Sequence, residues 1–158
     1  MAANTTPIFP KAANTGEQGV LLSTAMANTK AHDGTEAVGT AKALLFTAGV
    51  DGSRIDSITV RPSALPGNAA AGTTVLGVIR FWLNNGLDST VAANNTLLGE
   101  IAIPATAVTA LATAVISEYL FYGASGLVLE AGQKIYAGLT VAPGGVLAHS
   151  ITTLGGDY

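Results

Sequence analysis

The sequence predicts an all-β protein, an antiparallel β-sandwich or jelly roll of about eight strands that follows an extended N-terminal arm. Short apolar and β-branched runs are separated by Gly, Pro, Asn and Asp turn signals at intervals of roughly 8–14 residues. The sequence does not alternate strands with long helical patterns, which argues against a βαβ fold. The chain length of 158 residues suits one domain.

Residues 1–17 are predicted to be the extended arm, and residues 18–158 a single β domain. The arm is polar and rich in Asn, Thr and Pro, so it cannot bury enough apolar surface to fold alone. It carries one bulky apolar pair, Ile8 and Phe9, next to Pro10. Apolar side chains flanked by prolines suit a strap that docks on a neighbouring subunit, and the alternative is a frayed terminus.

The first half of the domain contains predicted strands over residues 19–24, 36–47, 54–61 and 75–83. Turn signals separate them at His32-Asp33-Gly34, at Asp51-Gly52 and at Pro62, where the third strand is expected to stop. In that strand Ile55 is out of phase with Ile58, and a bulge near Asp56 would bring both to one face. Residues 75–83 are apolar on both faces, which predicts a strand that is covered on both sides.

The second half contains predicted strands over residues 97–103, 126–132, 134–141 and 146–154. Asn84-Asn85-Gly86 and Pro143-Gly144-Gly145 are the clearest turn signals around them. Residues 105–122 are ambiguous, because helical spacing overlaps a β-branched and aromatic run at 115–122. We favour a loop or short helical turn followed by a strand there. Residues 155–158 are predicted to close the chain beyond the last strand.

The composition favours a structural role over an enzymatic one. Hydrophobic residues make up 49% of the chain and charged residues only 11%, against roughly 25% charged residues in an average protein. The seven Lys and Arg residues are scattered, which disfavours nucleic-acid binding. The sequence shows neither a membrane-spanning run nor a signal-peptide pattern at its start. A β surface rich in Ala, Thr and Gly, with few charges at its edges, fits strands that other chains cover.

We predict no catalytic residue, no metal site and no cofactor. The two histidines are His32, in a turn, and His149, in the last strand, where one satisfied hydrogen bond is expected. Neither has a partner at a metal-ligand spacing, although a pair formed by the two in space is open at this point. Ser125 lies in a segment that superficially resembles a nucleophile elbow, but the spacing is one residue short.

Two acids lie inside predicted strands, Glu100 and Glu118. The simplest expectation is that both face solvent. The sharper one is an ion pair, across the sheet or across a subunit interface, with an arginine from the set Arg54, Arg61 and Arg80. A small hydrolase would need either the two acids or the two histidines to come together.

Four segments resemble small structural proteins of tailed bacteriophages: Thr6-Pro7-Ile8-Phe9-Pro10, residues 51–61 beginning Asp-Gly-Ser-Arg-Ile, LVLEAG at 127–132, and Gly-Gly-Asp-Tyr at 155–158. The likeness runs over most of the chain, although the Ala-rich stretch 105–114 is longer than in that group. Such proteins resemble jelly-roll capsid decoration (cement) proteins. The resemblance implies a non-enzymatic homotrimer on the capsid surface, in contact with the major capsid protein.

The interface hypothesis rests on Ile8, Phe9, Pro10, Asp157 and Tyr158. One alternative function is a tail, neck or fibre component of the virion. Another is a carbohydrate-binding β-sandwich module of the adhesin type, which would need exposed aromatic rings. Strand alternation places Phe81 and Trp82 on opposite faces, so one belongs to the core and the other is a candidate for exposure. Trp82 and Tyr119 are the candidate sugar platforms.

Overall fold

The computed structural model describes residues 12–14, 20–67, 72–108, 117–120 and 126–158, and this part of the chain is all-β with antiparallel strands. The strands are β1 (Ala12–Asn14), β2 (Val20–Leu22), β3 (Lys42–Thr47), β4 (Ser53–Ala64), β5 (Gly72–Thr73), β6 (Gly77–Asn84), β7 (Asn95–Ile103), β8 (Ala107–Val108), β9 (Ser117–Leu120), β10 (Leu127–Leu129), β11 (Lys134–Leu139) and β12 (Leu147–Asp157). A 3₁₀ turn at Ala92–Asn94 is the one helical element of the described residues. No helix in that part is long and apolar enough to cross a membrane. The all-β prediction is confirmed.

The larger sheet is built on its two longest strands, β4 and β12, which pair with each other along their lengths. β1 and β2 pair with β12, while β9 and β10 pair with β4. The β4–β12 register shifts between Leu154 and Gly155, which leaves Asp56 as the extra residue. This is the predicted bulge, and it allows Ile55 and Ile58 to be fully buried in spite of their spacing.

The second sheet has the strand order β3-β11-β6-β7, and the short strands β5 and β8 form a separate ribbon. β6 carries buried residues on both of its faces, as predicted for this segment. The strand begins at Gly77, however, so Val75 and Leu76 precede it and are exposed.

One hydrophobic cluster joins the two sheets. Its buried members come from both sheets and include Ile58 and Ile151 from the larger one and Phe81, Ile135 and Leu139 from the smaller one. The face of each sheet that contributes to this cluster is its inner face, and the opposite face is its outer face. Burial of the two inner faces against each other removes their apolar side chains from water, and this burial stabilises the packing of the two sheets.

The predicted strand over residues 36–47 was too long, because β3 begins only at Lys42. Residues 36–41 instead remain attached to the preceding turn. The Glu36 carboxylate accepts hydrogen bonds from the backbone N–H of Ala27, at 3.0 Å, and from Lys30 Nζ, at 3.2 Å. These local bonds favour a bent backbone over sheet pairing.

Two predicted strand ends were too early. β4 continues through Pro62 to Ala64, and at Pro62 its one described neighbour is β12, so the missing N–H interrupts no second ladder. β12 continues to Asp157, because its last residues pair with both β1 and β4. In the ambiguous stretch 105–122, β8 and the predicted strand β9 are present, and residues 109–116 lie outside the described residues.

Candidate functional site

The C-terminal residues of the interface hypothesis contact the turn that precedes β4. Ser53 Oγ donates a hydrogen bond to Asp157 Oδ1 and accepts one from the backbone N–H of Gly49 at 2.9 Å. The Tyr158 backbone N–H donates to the carbonyl of Gly52 at 3.1 Å. Both terminal residues are partly buried, so the chain end is fixed against its own turn and still presents surface to the outside.

Ile8, Phe9 and Pro10 lie outside the described residues. The nearest described residue is Ala12, which pairs with Asp157 at the end of β12. The arm therefore joins the β structure at the same end of the sheet as the C-terminus. The two segments of the interface hypothesis are connected to one region of the molecule, which the sequence alone did not show.

Exposed aliphatic side chains lie close to this end, on the outer face of the larger sheet. Val128 on β10 is 63% exposed and Leu154 on β12 is 54% exposed, on either side of the first residues of β4. Val50, at the tip of the turn that holds the C-terminus, is 91% exposed. Sequence analysis missed these residues, although a Val between Gly49 and Asp51 in a turn is a recognisable signal of an exposed aliphatic side chain.

A second exposed aliphatic group lies where β6 begins and β12 begins. It consists of Val75, Leu76, Val141 and Val146. A Cβ placed on Gly144 would contact Val75, which shows that the loop before β12 lies beside the residues that lead into β6. Exposed apolar side chains that cluster are typical of surfaces that other proteins cover.

A shallow cleft of about 290 Å³ lies on the larger sheet. It is lined by Thr59 and Arg61 of β4 and by Ser150 and Thr152 of β12, which are cross-strand partners. The lining residues supply three hydroxyl groups and one guanidinium. Among the described residues, Arg61 is the only charged residue that lines the cleft.

Trp82 is buried, so neither ring of the Phe81–Trp82 pair is exposed, and the candidate exposure of one of them is not found. Phe81 belongs to the shared core, whereas Trp82 lies on the outer face of the smaller sheet, so the two rings do occupy opposite faces. Residues 23–41, which we call the cover segment, bring Met26 and Ala31 onto Trp82 and leave its side chain 1% exposed. Trp82 is therefore no sugar platform in this structure, and the Tyr119 side chain lies outside the described residues.

Lys42 is fully buried on the same outer face. Its Nζ donates to the carbonyl oxygens of Gly34, in the cover segment, and of Ser89, the latter at 3.0 Å, and it lies 4.6 Å from the centre of the Tyr136 ring. Burial lowers the pKa of Lys42 to about 8, partly offset by Asp88 and other carboxylates. The sequence contained no signal for this residue, since a lysine on a strand is usually exposed.

The two histidines are not brought into one site. His32 is exposed in the turn of the cover segment, whereas His149 is fully buried, with Leu22 and Pro62 as its cross-strand neighbours. The predicted hydrogen bond of His149 is wrong, because neither ring nitrogen has a partner in the described structure. Burial lowers the pKa of His149.

The ion-pair expectation is confirmed for Glu100. Arg80 and Glu100 are direct cross-strand partners on β6 and β7, and Arg80 Nε lies 3.0 Å from the carboxylate of Glu100. Arg80 also donates to the carbonyl of Ala31 at 2.6 Å. Glu118 lies on the other sheet, where its backbone pairs with Thr59, so the two acids do not share a site.

Within the described residues, the structure contains no group of three or more His, Cys, Asp or Glu side chains arranged to hold a metal ion. The candidate site is therefore a set of surfaces: the end of the larger sheet where β1 pairs with the C-terminal residues of β12, and two groups of exposed aliphatic side chains. Comparison with known proteins assigns no family, because no protein-family model and no curated protein matches the chain.

Proposed function

We propose that this chain is a non-enzymatic structural protein of a tailed-phage virion, a capsid decoration or cement protein on the surface of the head. The observation that supports this proposal best is the large number of exposed aliphatic side chains on a surface with few charges. Among the described residues, 11 large aliphatic side chains are between 37% and 91% exposed, in a chain with only 11% charged residues. Such a surface is a liability for an isolated protein and is useful in an assembly. The resemblance of the four sequence segments points to the same role.

The finer fold that we propose is a β-sandwich of the jelly-roll type. Its support is the single hydrophobic cluster that joins the two antiparallel sheets. Packing of two sheets through inner faces leaves the outer face of the larger sheet for contacts with other chains, since the cover segment lies on the outer face of the smaller one. The long central pair β4 and β12 provides a stiff platform for the C-terminal contacts.

The proposed partners are two further copies of this chain, in a homotrimer, and the major capsid protein. Each subunit would bury aliphatic and small side chains against its neighbours. Because many weak contacts must open together, the assembled shell resists expansion. Ile8 and Phe9 would act as a strap, and Asp157 and Tyr158 would add contacts at the same end of the molecule, with Tyr158 supplying area and a hydrogen-bonding hydroxyl.

The first test is native mass spectrometry of the purified chain. A stable trimer supports the proposal, and a monomer at all concentrations counts against it. The second test is occupancy on capsids that lack the protein. Deletion of residues 1–17 would also remove β1, so the sharper variant is Ile8→Ser with Phe9→Ser, compared with Asn4→Ser and Thr5→Ser as a matched control. Equal occupancy of both variants would contradict the strap.

The burial of Trp82 argues against the carbohydrate-binding alternative, because a sugar platform needs an exposed ring. A tail, neck or fibre component would use the same exposed aliphatic surfaces. Microscopy of the source particle with labelled protein separates that location from the head surface.

A further inference from the structure

Two polar groups are buried beneath the cover segment at an energetic cost. The indole Nε1–H of Trp82 is buried and has no hydrogen-bond partner in the described structure. The Lys42 ammonium is fully buried and is bound by two backbone carbonyls in place of water. Burial of an unpaired donor, or of a charge, opposes the closed position of whatever covers it.

The apolar contacts that hold the cover segment down are few. They are the small cluster of Met26, Ala31 and the partly buried Ala41 on Trp82, with Gly34 close to the indole ring. Two backbone hydrogen bonds join it to β11, from the Met26 N–H to the carbonyl of Leu139 at 2.8 Å and from the Leu139 N–H to the carbonyl of Ala41 at 2.9 Å. Most of the other contacts are made by side chains of the sheet that donate to carbonyls of the segment, such as Arg80 to Ala31.

The two ends of the cover segment are joined to each other. The backbone N–H groups of Ser23 and Thr24 donate to the carbonyl of Thr40, at 2.9 and 3.2 Å. The hydroxyl groups of Thr24 and Thr40 lie 2.8 Å apart. A segment that is closed at its base and weakly held along its length can move as one unit, as local opening equilibria in proteins commonly do.

We propose that the cover segment is a hinged flap that opens from the folded β structure as a unit, uncovers the outer face around Trp82, and is biased toward opening by the buried Lys42 ammonium. Opening returns both the ammonium and the indole N–H to water, while the shared core between the sheets stays closed. The closed flap keeps the aromatic surface of Trp82 and Tyr136 away from solvent. This device does not depend on the proposed virion role.

If the buried ammonium opposes closure, Lys42→Met should favour the closed flap, although the substitution removes two hydrogen bonds. Methionine has nearly the length of lysine and no charge to bury, so it removes the bias toward opening. The carbonyls of Ser89 and Gly34 each keep a donor after the change, because Asn95 Nδ2 also donates to them, at 2.9 and 3.4 Å. Loss of a lysine that makes two hydrogen bonds should therefore tighten the flap.

Hydrogen exchange of the Trp82 indole N–H measures the opening directly, because the chain contains one Trp and so gives one indole resonance. At pH 7 we expect the indole of the wild-type protein to exchange at least tenfold faster than the core amides of β4 and β12. We expect Lys42→Met to slow that exchange at least tenfold. Lys134→Met is the control, since Lys134 lies on β11 and bonds the Gly86 carbonyl outside the flap. It should change the rate by less than twofold.

Two results would overturn the proposal. One is an indole that exchanges at the rate of the core amides, which would mean that Trp82 is exposed only by global unfolding. The other is exchange in Lys42→Met that is unchanged, which would mean that the lysine does not affect the flap, or faster, which would mean that the lysine holds it closed. If the methionine variant does not fold, Lys42→Leu serves for the same measurement. Met26→Ala should speed the exchange, because Met26 packs on Trp82 in the closed flap.

Discussion

Replacement of Lys42 by methionine should stabilise the folded protein at neutral pH, and the gain should disappear in alkali. Lys42 has an ordinary pKa of 10.5, and burial lowers it to about 8 in the folded chain. The carboxylates that face it, Asp88, Glu36 and Asp33, raise the pKa but do not offset the burial. Folding therefore favours the neutral amine, and at pH 7 the protein folds against the cost of a buried charge.

The direction and magnitude of the expected stability change follow from the difference between the two pKa values of Lys42. Because the folded pKa is the lower one, the stability associated with Lys42 is fully present above pH 10.5 and is lost as the pH falls to about 8. A pKa difference of this size corresponds to roughly 3 kcal/mol. Methionine has no charge to bury, so Lys42→Met should exceed the wild-type protein by up to about 3 kcal/mol below pH 8 and match it near pH 10.5.

Urea unfolding followed by the fluorescence of the single Trp, at several pH values from 7 to 10.5, measures this effect. The difference in unfolding free energy between the two proteins isolates Lys42, because all other titrating groups occur in both. A difference that does not change with pH would refute the reasoning. So would a wild-type protein that loses stability relative to the methionine variant as the pH rises.

Three further changes test other contacts. Gly138→Ala should cost about 1–3 kcal/mol in urea unfolding, because a Cβ there would overlap the Met26 sulfur and lie 2.8 Å from the Trp82 ring, whereas a Cβ on the control Gly39→Ala meets open space. His149 has its pKa lowered by burial from an ordinary 6.5, so wild-type stability should fall as the pH decreases below 6.5, and thermal melts of His149→Leu at pH 7.5 and 5 should show a smaller loss. Ser53→Ala should cost roughly 1–3 kcal/mol by calorimetry, because its hydroxyl bonds the Asp157 carboxylate.

Each of these has a contrary outcome. Equal stability of the two alanine variants would mean that Met26 and Trp82 move aside at no cost. The same acid dependence in His149→Leu and the wild-type protein would place the acid-sensitive group elsewhere. An unchanged melting enthalpy and temperature in Ser53→Ala would mean that the bond to Asp157 contributes nothing to the fold.

Part of the fold and of the candidate site could be predicted because its causes are local. Ile55 and Ile58 can reach one face only through an extra residue, so the bulge at Asp56 was visible in the spacing. Arg80 and Glu100 lie in strands on either side of a turn signal, so an ion pair between them was a reasonable expectation, and the structure confirms it. The interface roles of the termini stay a prediction, although the structure brings the attachment point of the arm beside Asp157.

The errors arose where distant segments compete for the same backbone or cover the same side chain. Residues 36–41 were predicted to belong to the strand that ends at Thr47, but the Glu36 carboxylate bonds the Ala27 backbone instead. Gly155 and Gly156 have no strand propensity, yet they pair on both sides because β1 and β4 flank them. Intrinsic preference is a weak guide when tertiary pairing satisfies the backbone.

The amino-acid sequence by itself determined the all-β class, several turns such as Asp51-Gly52 and Asn84-Asn85-Gly86, and the low content of charged residues, because period, turn chemistry and composition are local properties. Only the tertiary structure decided that Trp82 and Lys42 are buried on an outer face that would otherwise meet solvent. Their burial depends on the cover segment, which folds back over the smaller sheet and binds it through backbone carbonyls such as those of Ala31 and Gly34. Carbonyl groups are common to every residue, so no pattern of side chains could announce that contact.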